Sequence, residues 1–252
     1  MLSVERKLKI AEIIGKSGGV KTSDLSDMFY VSEMTILRDL AELEHQGILR
    51  RVYGGAIVVS DSTREISSIM RKRIHIAEKN VIAEKAIKLI SNGESLFLDG
   101  STTVLSFAKK LITKKEITII THGLDIINEV KNNSDIKIIC SGGEFQETTL
   151  SFIGPRTEFF LKEFYTDKAF ISPTGISLKT GLTVENPLQA SIKKIMLENS
   201  SQKIILIDSS KFDRITLSRV CNIDEVNLIV TDKKPDKKYI DFFKENKVEV
   251  IY

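Results

Sequence analysis

An aspartate, a glycine and three hydroxyl residues in a row, Asp99-Gly100-Ser101-Thr102-Thr103, follow the β-prone run Ser95–Leu98 and lead into the helical pattern Val104, Leu105, Phe107, Ala108 and Leu111. A small-residue loop that opens a helix offers backbone N–H groups, hydroxyls and the positive end of a dipole, which together suit a phosphate. The same residues also read as a plain turn with a Ser or Thr helix cap. Three further β-prone runs end in comparable chemistry: Thr121-His122-Gly123 follows Ile120, Ser141-Gly142-Gly143 follows Cys140, and Asp208-Ser209-Ser210-Lys211-Phe212 follows Ile207. In open α/β sheets ligands bind beyond the carboxyl ends of the strands, so these ends are expected to converge on one crevice. Within it His122 reads either as a ligand contact or as a satisfied structural group.

A second set of candidate contacts lies near the N-terminus. Ser32, Thr35 and Arg38 place short polar groups and a cation in the first half of an amphipathic stretch whose Ile36, Leu40 and Leu43 fall at i, i+4 and i+7. Such groups reach base edges and phosphates when a helix enters the major groove of DNA. Alone, they read equally as an N-cap and a solvated charge. The run Ile48 to Val59 holds two β-prone segments around Gly54-Gly55 and carries Arg50, Arg51 and Tyr53, a plausible basic hairpin.

Periodicity supplies the elements that must hold these residues. Val4 to Ile14 reads as a first helix, ended at Ser17-Gly18-Gly19. Thr22 caps a short second helix through Leu25, Met28 and Phe29, and Tyr30-Val31 connects tightly to Ser32, the N-cap of a third helix that Gly47 stops. Helix, short helix, turn, amphipathic helix and basic hairpin is the order of a winged helix-turn-helix, expected over residues 1–60. Residues 61–92 read as a basic helical connector, with Ile82, Ala86, Leu89 and Ile90 as an apolar stripe. From 93 to 252, runs at Ser95–Leu98, Ile117–Ile120, Ile136–Cys140, Lys168–Ile171, Lys203–Ile207, Val226–Val230 and Val248–Ile251 alternate with helical patterns. Such alternation implies an α/β domain whose largely parallel sheet is covered by helices.

Composition narrows the classes. A length of 252 residues suits a small domain followed by a medium one, and 42% hydrophobic with 28% charged residues is ordinary for a globular protein. With no apolar run of spanning length and no secretory leader pattern, a cytoplasmic protein without a membrane partner is expected. Cys140 and Cys221 are too few for a zinc knuckle or a disulfide framework and are expected to be buried, reduced thiols. His45, His75 and His122 form no metal spacing, and no cofactor is expected. The sequence lacks a Gly-x-Ser-x-Gly elbow, a Walker loop and a Gly-x-Gly-x-x-Gly fingerprint, the mechanical parts of hydrolases, NTPases and dehydrogenases. A net charge of +3 announces nothing by itself: residues 1–60 hold eight basic and eight acidic side chains, and residues 64–88 hold seven against three.

Val31-Ser32-Glu33-Met34-Thr35-Ile36-Leu37-Arg38-Asp39-Leu40, followed by Leu43-Glu44, Gly47, Leu49, Arg51 and Gly54-Gly55-Ala56, resembles the DNA-binding signature of the DeoR family of sugar-metabolism regulators. Leu37 stands where a second arginine is common and Tyr53 where histidine is common, so operator affinity or choice is expected to depart from typical members. The resemblance extends through Arg71 with Lys79-Asn80-Val81-Ile82-Ala83, the Asp99–Thr103 loop, Gly142-Gly143, Gly154, Asp167-Lys168-Ala169-Phe170-Ile171, Gly181-Leu182 and Asp208–Phe212. It implies an effector domain similar in fold to ribose-5-phosphate isomerase. Ser101, Thr102 and Thr103 would there hold a ligand's phosphate, with Asp99 and Lys211 toward its sugar hydroxyls or remaining charge. His122 in place of asparagine, Pro173 in a turn normally rich in glycine or alanine, and Gln189 in place of glutamate would retune the preferred sugar.

Two functions compete: a DNA-binding repressor released by a phosphorylated sugar, and a phosphosugar isomerase-like enzyme with an accessory N-terminal domain. The N-terminal signature, which an isomerase does not need, favours the repressor and a chain that is not an enzyme. An activator built from the same parts is a third reading. Operator DNA and a phosphosugar are the expected partners. Two half-sites and a weakly charged reader imply a homo-oligomer, dimer or tetramer.

Overall fold

The computed structural model describes residues 2–45, 48–58 and 68–252, and the chain divides into two compact units, Met1–Ile76 and Ala77–Tyr252. In the first unit, helix α1 (Ser3–Ser17) ends where Gly18, at φ 75°, forms a left-handed cap and donates to Ile14 O. Strand β1 (Gly19–Lys21) leads into α2 (Thr22–Phe29), and Tyr30, at φ 53°, turns the chain toward α3 (Glu33–His45). Strands β2 (Leu49–Val52) and β3 (Gly55–Val58) follow. Ile10, Ile14, Leu25, Ile36, Leu40, Leu43 and Leu49 close into one core, to which the short helix α4 (Ser68–Arg71) adds Met70.

Local readings change at three places. Gly19, read with Ser17 and Gly18 as a helix breaker, opens β1, which pairs with β3, so the wing is three-stranded in the order β1-β3-β2. The hairpin turns at Tyr53-Gly54, with Gly54 at φ 77°, and Gly55 belongs to β3, where a Cβ would stand 2.2 Å from Val20 O. Thr22 opens α2 as its first residue; Lys21 holds the cap position, and the buried Thr22 hydroxyl has no hydrogen-bond partner among the described residues. Gly47, read as the helix stop, Val59, read as the hairpin end, and 61–67, read as the start of the connector, lie outside the described residues.

Helix α5 (Ile76–Ala86) precedes β4 (Ser95–Leu98), α6 (Thr102–Ala108), β5 (Ile117–Thr121), α7 (Leu124–Val130) and β6 (Ile136–Cys140). The hairpin β7 (Glu144–Gln146) and β8 (Ser151–Ile153) and helix α8 (Pro155–Lys162) lead to β9 (Thr166–Ile171). A small antiparallel sheet of β10 (Gly175–Ser177), β11 (Gly181–Val184) and β13 (Ser218–Cys221) is interleaved with α9 (Pro187–Glu198) and β12 (Ser200–Leu206). Then come β14 (Leu228–Val230), α10 (Lys237–Glu245) and β15 (Glu249–Ile251).

The main sheet runs β15-β14-β12-β9-β4-β5-β6 with every neighbour parallel. From β4 it grows one way through β5 and β6, and from β9 the other way through β12, so the loops leaving β4 and β9 diverge and open a crevice at their carboxyl ends. Alternate strand residues feed two cores. Leu96 and Leu98 join Ile82, Ala83 and Ala86 of α5 on one face, and Phe97 joins Ile195 and Met196 of α9 and Tyr239 of α10 on the other. Helix α5 therefore serves as core of the larger unit, where the sequence suggested a connector. Each of the seven β-prone runs of this region became a strand of this sheet. Cys221 is buried but Cys140, at the end of β6, is exposed, against the expectation for both. Among the described residues no helix is long and apolar enough to cross a membrane.

Candidate functional site

A buried ion pair sets the third helix of the N-terminal unit. Arg6 of α1 grips Asp39 of α3 at two points, Nε to Oδ2 at 2.5 Å and Nη2 to Oδ1 at 3.2 Å, which fixes the two helices against each other. Ser32 caps α3, its Oγ accepting from the Thr35 N–H at 3.3 Å and lying 3.0 Å from Thr35 Oγ1, so the Thr35 hydroxyl is held locally. Arg38 and Arg50 are exposed, and their side chains have neither an ion pair nor a hydrogen bond among the described residues. Arg51 differs: its backbone N–H and Nε both donate to the Glu44 carboxylate, at 2.8 and 2.7 Å. Strand alternation accounts for the contrast, since Arg51 shares the face of buried Leu49 and Arg50 takes the other. Tyr53 stands fully exposed at the wing tip, Gly54 makes its turn, and Leu37 is 39% exposed on α3.

In the larger unit the crevice is built around Asp99, at the end of β4 and wholly buried. Its Oδ1 accepts from the Ser101 N–H at 2.9 Å, and its Oδ2 from the Ser172 N–H beyond β9 at 2.9 Å and from Lys193 Nζ of α9. Burial pushes this carboxyl up, but the Lys193 charge and the bonds from Lys193, Ser101 and Ser172 outweigh burial and hold it below the usual carboxylate range. One side chain thus ties together the two loops that diverge at the switch point. On the far side, Lys211 Nζ donates to Ser172 Oγ at 3.1 Å and to Pro173 O at 2.9 Å, with Asp208 Oδ2 at 3.7 Å. Its side chain remains 20% exposed at the mouth of the crevice.

His122 and Thr121 face inward. His122 Nε2 accepts from the Gly100 N–H at 3.1 Å and Nδ1 lies 2.9 Å from Phe152 O, an arrangement that only the neutral Nδ1–H tautomer satisfies. Burial, with the nearby Lys193 charge, lowers its pKa to about 4. Thr121 Oγ1 donates to Leu98 O at 2.7 Å and accepts from the Gly123 N–H at 3.0 Å. Both residues are fully buried with their polar atoms engaged, so in this conformation they brace the β4 and β5 loops and offer a ligand nothing. Gly100 and Gly123 permit that closeness, since a Cβ on Gly123 would stand 2.7 Å from Gly100 Cα. Gly142 and Gly143 are exposed beyond β6, and Gly143, at φ 138°, leaves no room for a side chain beside Thr157 Oγ1. Ser101 caps α6 through the Val104 N–H, so the Thr102 and Thr103 N–H groups fall in the unpaired first turn. Thr103 Oγ1 and Ser141 Oγ are buried without partners among the described residues.

Lys193 and Ser172 escaped the sequence reading. A signal existed for Lys193: it lies four residues after Gln189 within the apolar stripe of Ile192, Ile195 and Met196, and a cation on a buried face needs a carboxylate. Gln189, from the same face, sets its Nε2 within hydrogen-bond reach of Gln146 Oε1, Thr149 Oγ1 and Ser151 Oγ at 2.9, 3.1 and 3.0 Å, stitching α9 to the β7–β8 hairpin. No cluster able to hold a metal ion occurs among the described residues.

Residues 6–62 match the DeoR-like helix-turn-helix domain, and residues 74–233 match the DeoR C terminal sensor domain. The chain is 37% identical over 229 residues to the transcriptional repressor AccR of Agrobacterium fabrum, covering 90% of this chain and 89% of that one. It is 33% identical over 255 residues to the lactose phosphotransferase system repressor of Staphylococcus epidermidis, covering 99% and 97%. Among solved structures, ribose 5-phosphate isomerase A from Methanocaldococcus jannaschii aligns with 56% of each chain at 18% identity and a TM-score of 0.41. With the two family domains in order along the chain and full-length relatives that are repressors, the protein belongs to the DeoR family of transcriptional regulators.

Proposed function

We propose that this regulator represses a sugar-metabolism operon in the cytoplasm, binds its operator as a homo-oligomer through α3 and the wing, and is released when a phosphorylated sugar enters the β4/β9 crevice. Arg38, Arg50, Tyr53 and Leu37 meet the duplex, while Ser32 and Thr35 set the start of the helix. The observation that carries the effector reading is Lys211, a partly exposed cation that reaches from the segment after β12 to Ser172 and Pro173 in the loop after β9. Lys211 and the Thr102 and Thr103 N–H groups hold the phosphate, and Ser101, Gly142 and Gly143 line the approach. Asp99 is reassigned: with both oxygens occupied it orients the loops instead of touching the sugar. A carboxylate kept ionised by a buried lysine is a weak base, poorly suited to removing a carbon-bound proton, which counts against an isomerase. The lactose repressor among the relatives supports a sugar as the signal.

Calorimetric titration with a panel of phosphosugars and their unphosphorylated counterparts, run beside operator titrations, tests this reading. One phosphosugar should bind and weaken operator affinity by about 5- to 150-fold, the usual span of allosteric coupling. Lys211→Ala should lose that response while binding effector-free operator as wild type does. If no phosphosugar binds, or the variant responds as wild type does, the crevice assignment is wrong.

A further inference from the structure

The outward face of α3 is more apolar than a phosphate-gripping helix requires. Ile36, Leu40 and Leu43 point into the core, which leaves Met34, Leu37 and Ala41, at i, i+3 and i+7, on the side turned away from it. Met34 is 60% exposed and Leu37 is 39% exposed, with the unpaired, exposed Arg38 beside them. Neither apolar side chain is needed by the core, and both sit in the first half of the helix, the part that reaches base edges.

We infer that Met34 and Leu37 read thymine C5-methyl groups, next to a guanine bound by Arg38, so that thymine adjoining guanine is a determinant of the operator half-site. This inference rests on the reading that α3 enters the major groove. The chemistry favours a duplex over an apolar protein surface as the occupant. A protein surface covering Met34 and Leu37 would also bury the Arg38 guanidinium, at a cost unless it supplied an acceptor. The major groove supplies both needs within neighbouring base pairs: guanine O6 and N7 accept from arginine, and the thymine methyl is the apolar group on that edge. Replacing a methyl with hydrogen leaves every hydrogen-bonding group of the base pair unchanged, so apolar readout can be separated from all other contacts.

The experiment uses the full chain. Selection from a random duplex library identifies a preferred site; each enriched thymine is then replaced singly by deoxyuridine, and affinity is measured by fluorescence anisotropy. At least one thymine beside an enriched guanine should lose about fourfold on methyl removal, the effect of one methyl returned to water. In Leu37→Ala or Met34→Ala the same operator should bind more weakly, and thymine and deoxyuridine forms should become nearly equivalent. Leu37→Arg should shift the selected base at that position from thymine toward guanine. Thermal melting should match wild type in every variant, since these side chains lie outside the core. A guanine-centred site without methyl dependence would overturn this inference and leave the DNA-binding role of α3 intact. Weakening by Leu37→Ala with an unchanged deoxyuridine penalty would overturn methyl readout by this patch, and failure to enrich any site would overturn the placement of α3 itself.

Discussion

The two recognition regions of this protein treat charge in opposite ways. On the outer face of α3 and the wing, Arg38 and Arg50 carry no partner among the described residues and stand in solvent. At the carboxyl ends of β4 and β5, Asp99, Lys193, Thr121 and His122 are buried and bonded to one another or to the loops around them. A surface that docks on a polyanion can leave its cations solvated until the partner arrives, because the duplex replaces the lost water. A crevice for a small molecule must exist before the ligand does, so its charged groups serve first as struts. Arg6 and Asp39 are the exception within the N-terminal unit, a buried strut that joins α1 to α3.

The largest effect that tests this contrast is expected at Lys193. Lys193→Ala leaves the Asp99 carboxylate buried and uncompensated and should lower unfolding stability by about 3 to 5 kcal/mol in urea titrations. A loss below about 1 kcal/mol would mean that the crevice is no more pre-organised than the surface. Next comes acid sensitivity. His122 in the unfolded chain takes a proton below about pH 6.5, whereas the folded imidazole resists protonation down to about 4. Stability should therefore fall as pH drops through that window, by up to about 1.4 kcal/mol per pH unit. His122→Asn, which carries a donor and an acceptor but does not titrate, should flatten that slope. Asp99 acts in stronger acid: held below its ordinary 3.8, it keeps its contribution above that pH and loses it only as the pH falls further.

On the DNA-binding side the effects should appear in affinity and leave melting unchanged. Arg38→Ala should weaken operator binding by about 1 to 3 kcal/mol in gel-shift titrations. The smallest and sharpest comparison lies within the wing. Arg50→Ala should lower the slope of log affinity against log salt by about one, the signature of a lost phosphate contact, and Arg51→Ala by clearly less, because Glu44 already holds Arg51. Equal slopes for the two variants would remove the distinction between a free and a tethered cation.

Much of this design was legible in the chain. Periodicity located the three helices, the hairpin and the seven parallel strands because each buries a stripe or a face that repeats every few residues. The short strand β1 and the β7–β8 hairpin were not legible: each is three residues per strand, too short to show alternation, and β1 forms against β3, more than thirty residues away in sequence. The exposed apolar pair Met34 and Leu37 was half visible, since Leu37 departs from the family pattern, but how far Met34 is exposed depends on how α3 rolls onto its core.

By itself the sequence determined the order of the three N-terminal helices and of the seven main-sheet strands, the two family signatures and the small polar residues at the strand ends, because these are properties of adjacent residues. Only the tertiary structure decided which of those residues remain available. The pairing of β4 with β9 brings Ser172, and the packing of α9 brings Lys193, 73 and 94 positions away, onto Asp99, which turns an expected ligand contact into a brace. The packing of β8 against the β5 loop likewise encloses His122. Which polar atoms are already satisfied depends on contacts between residues far apart along the chain, and these exist only once the sheet has formed.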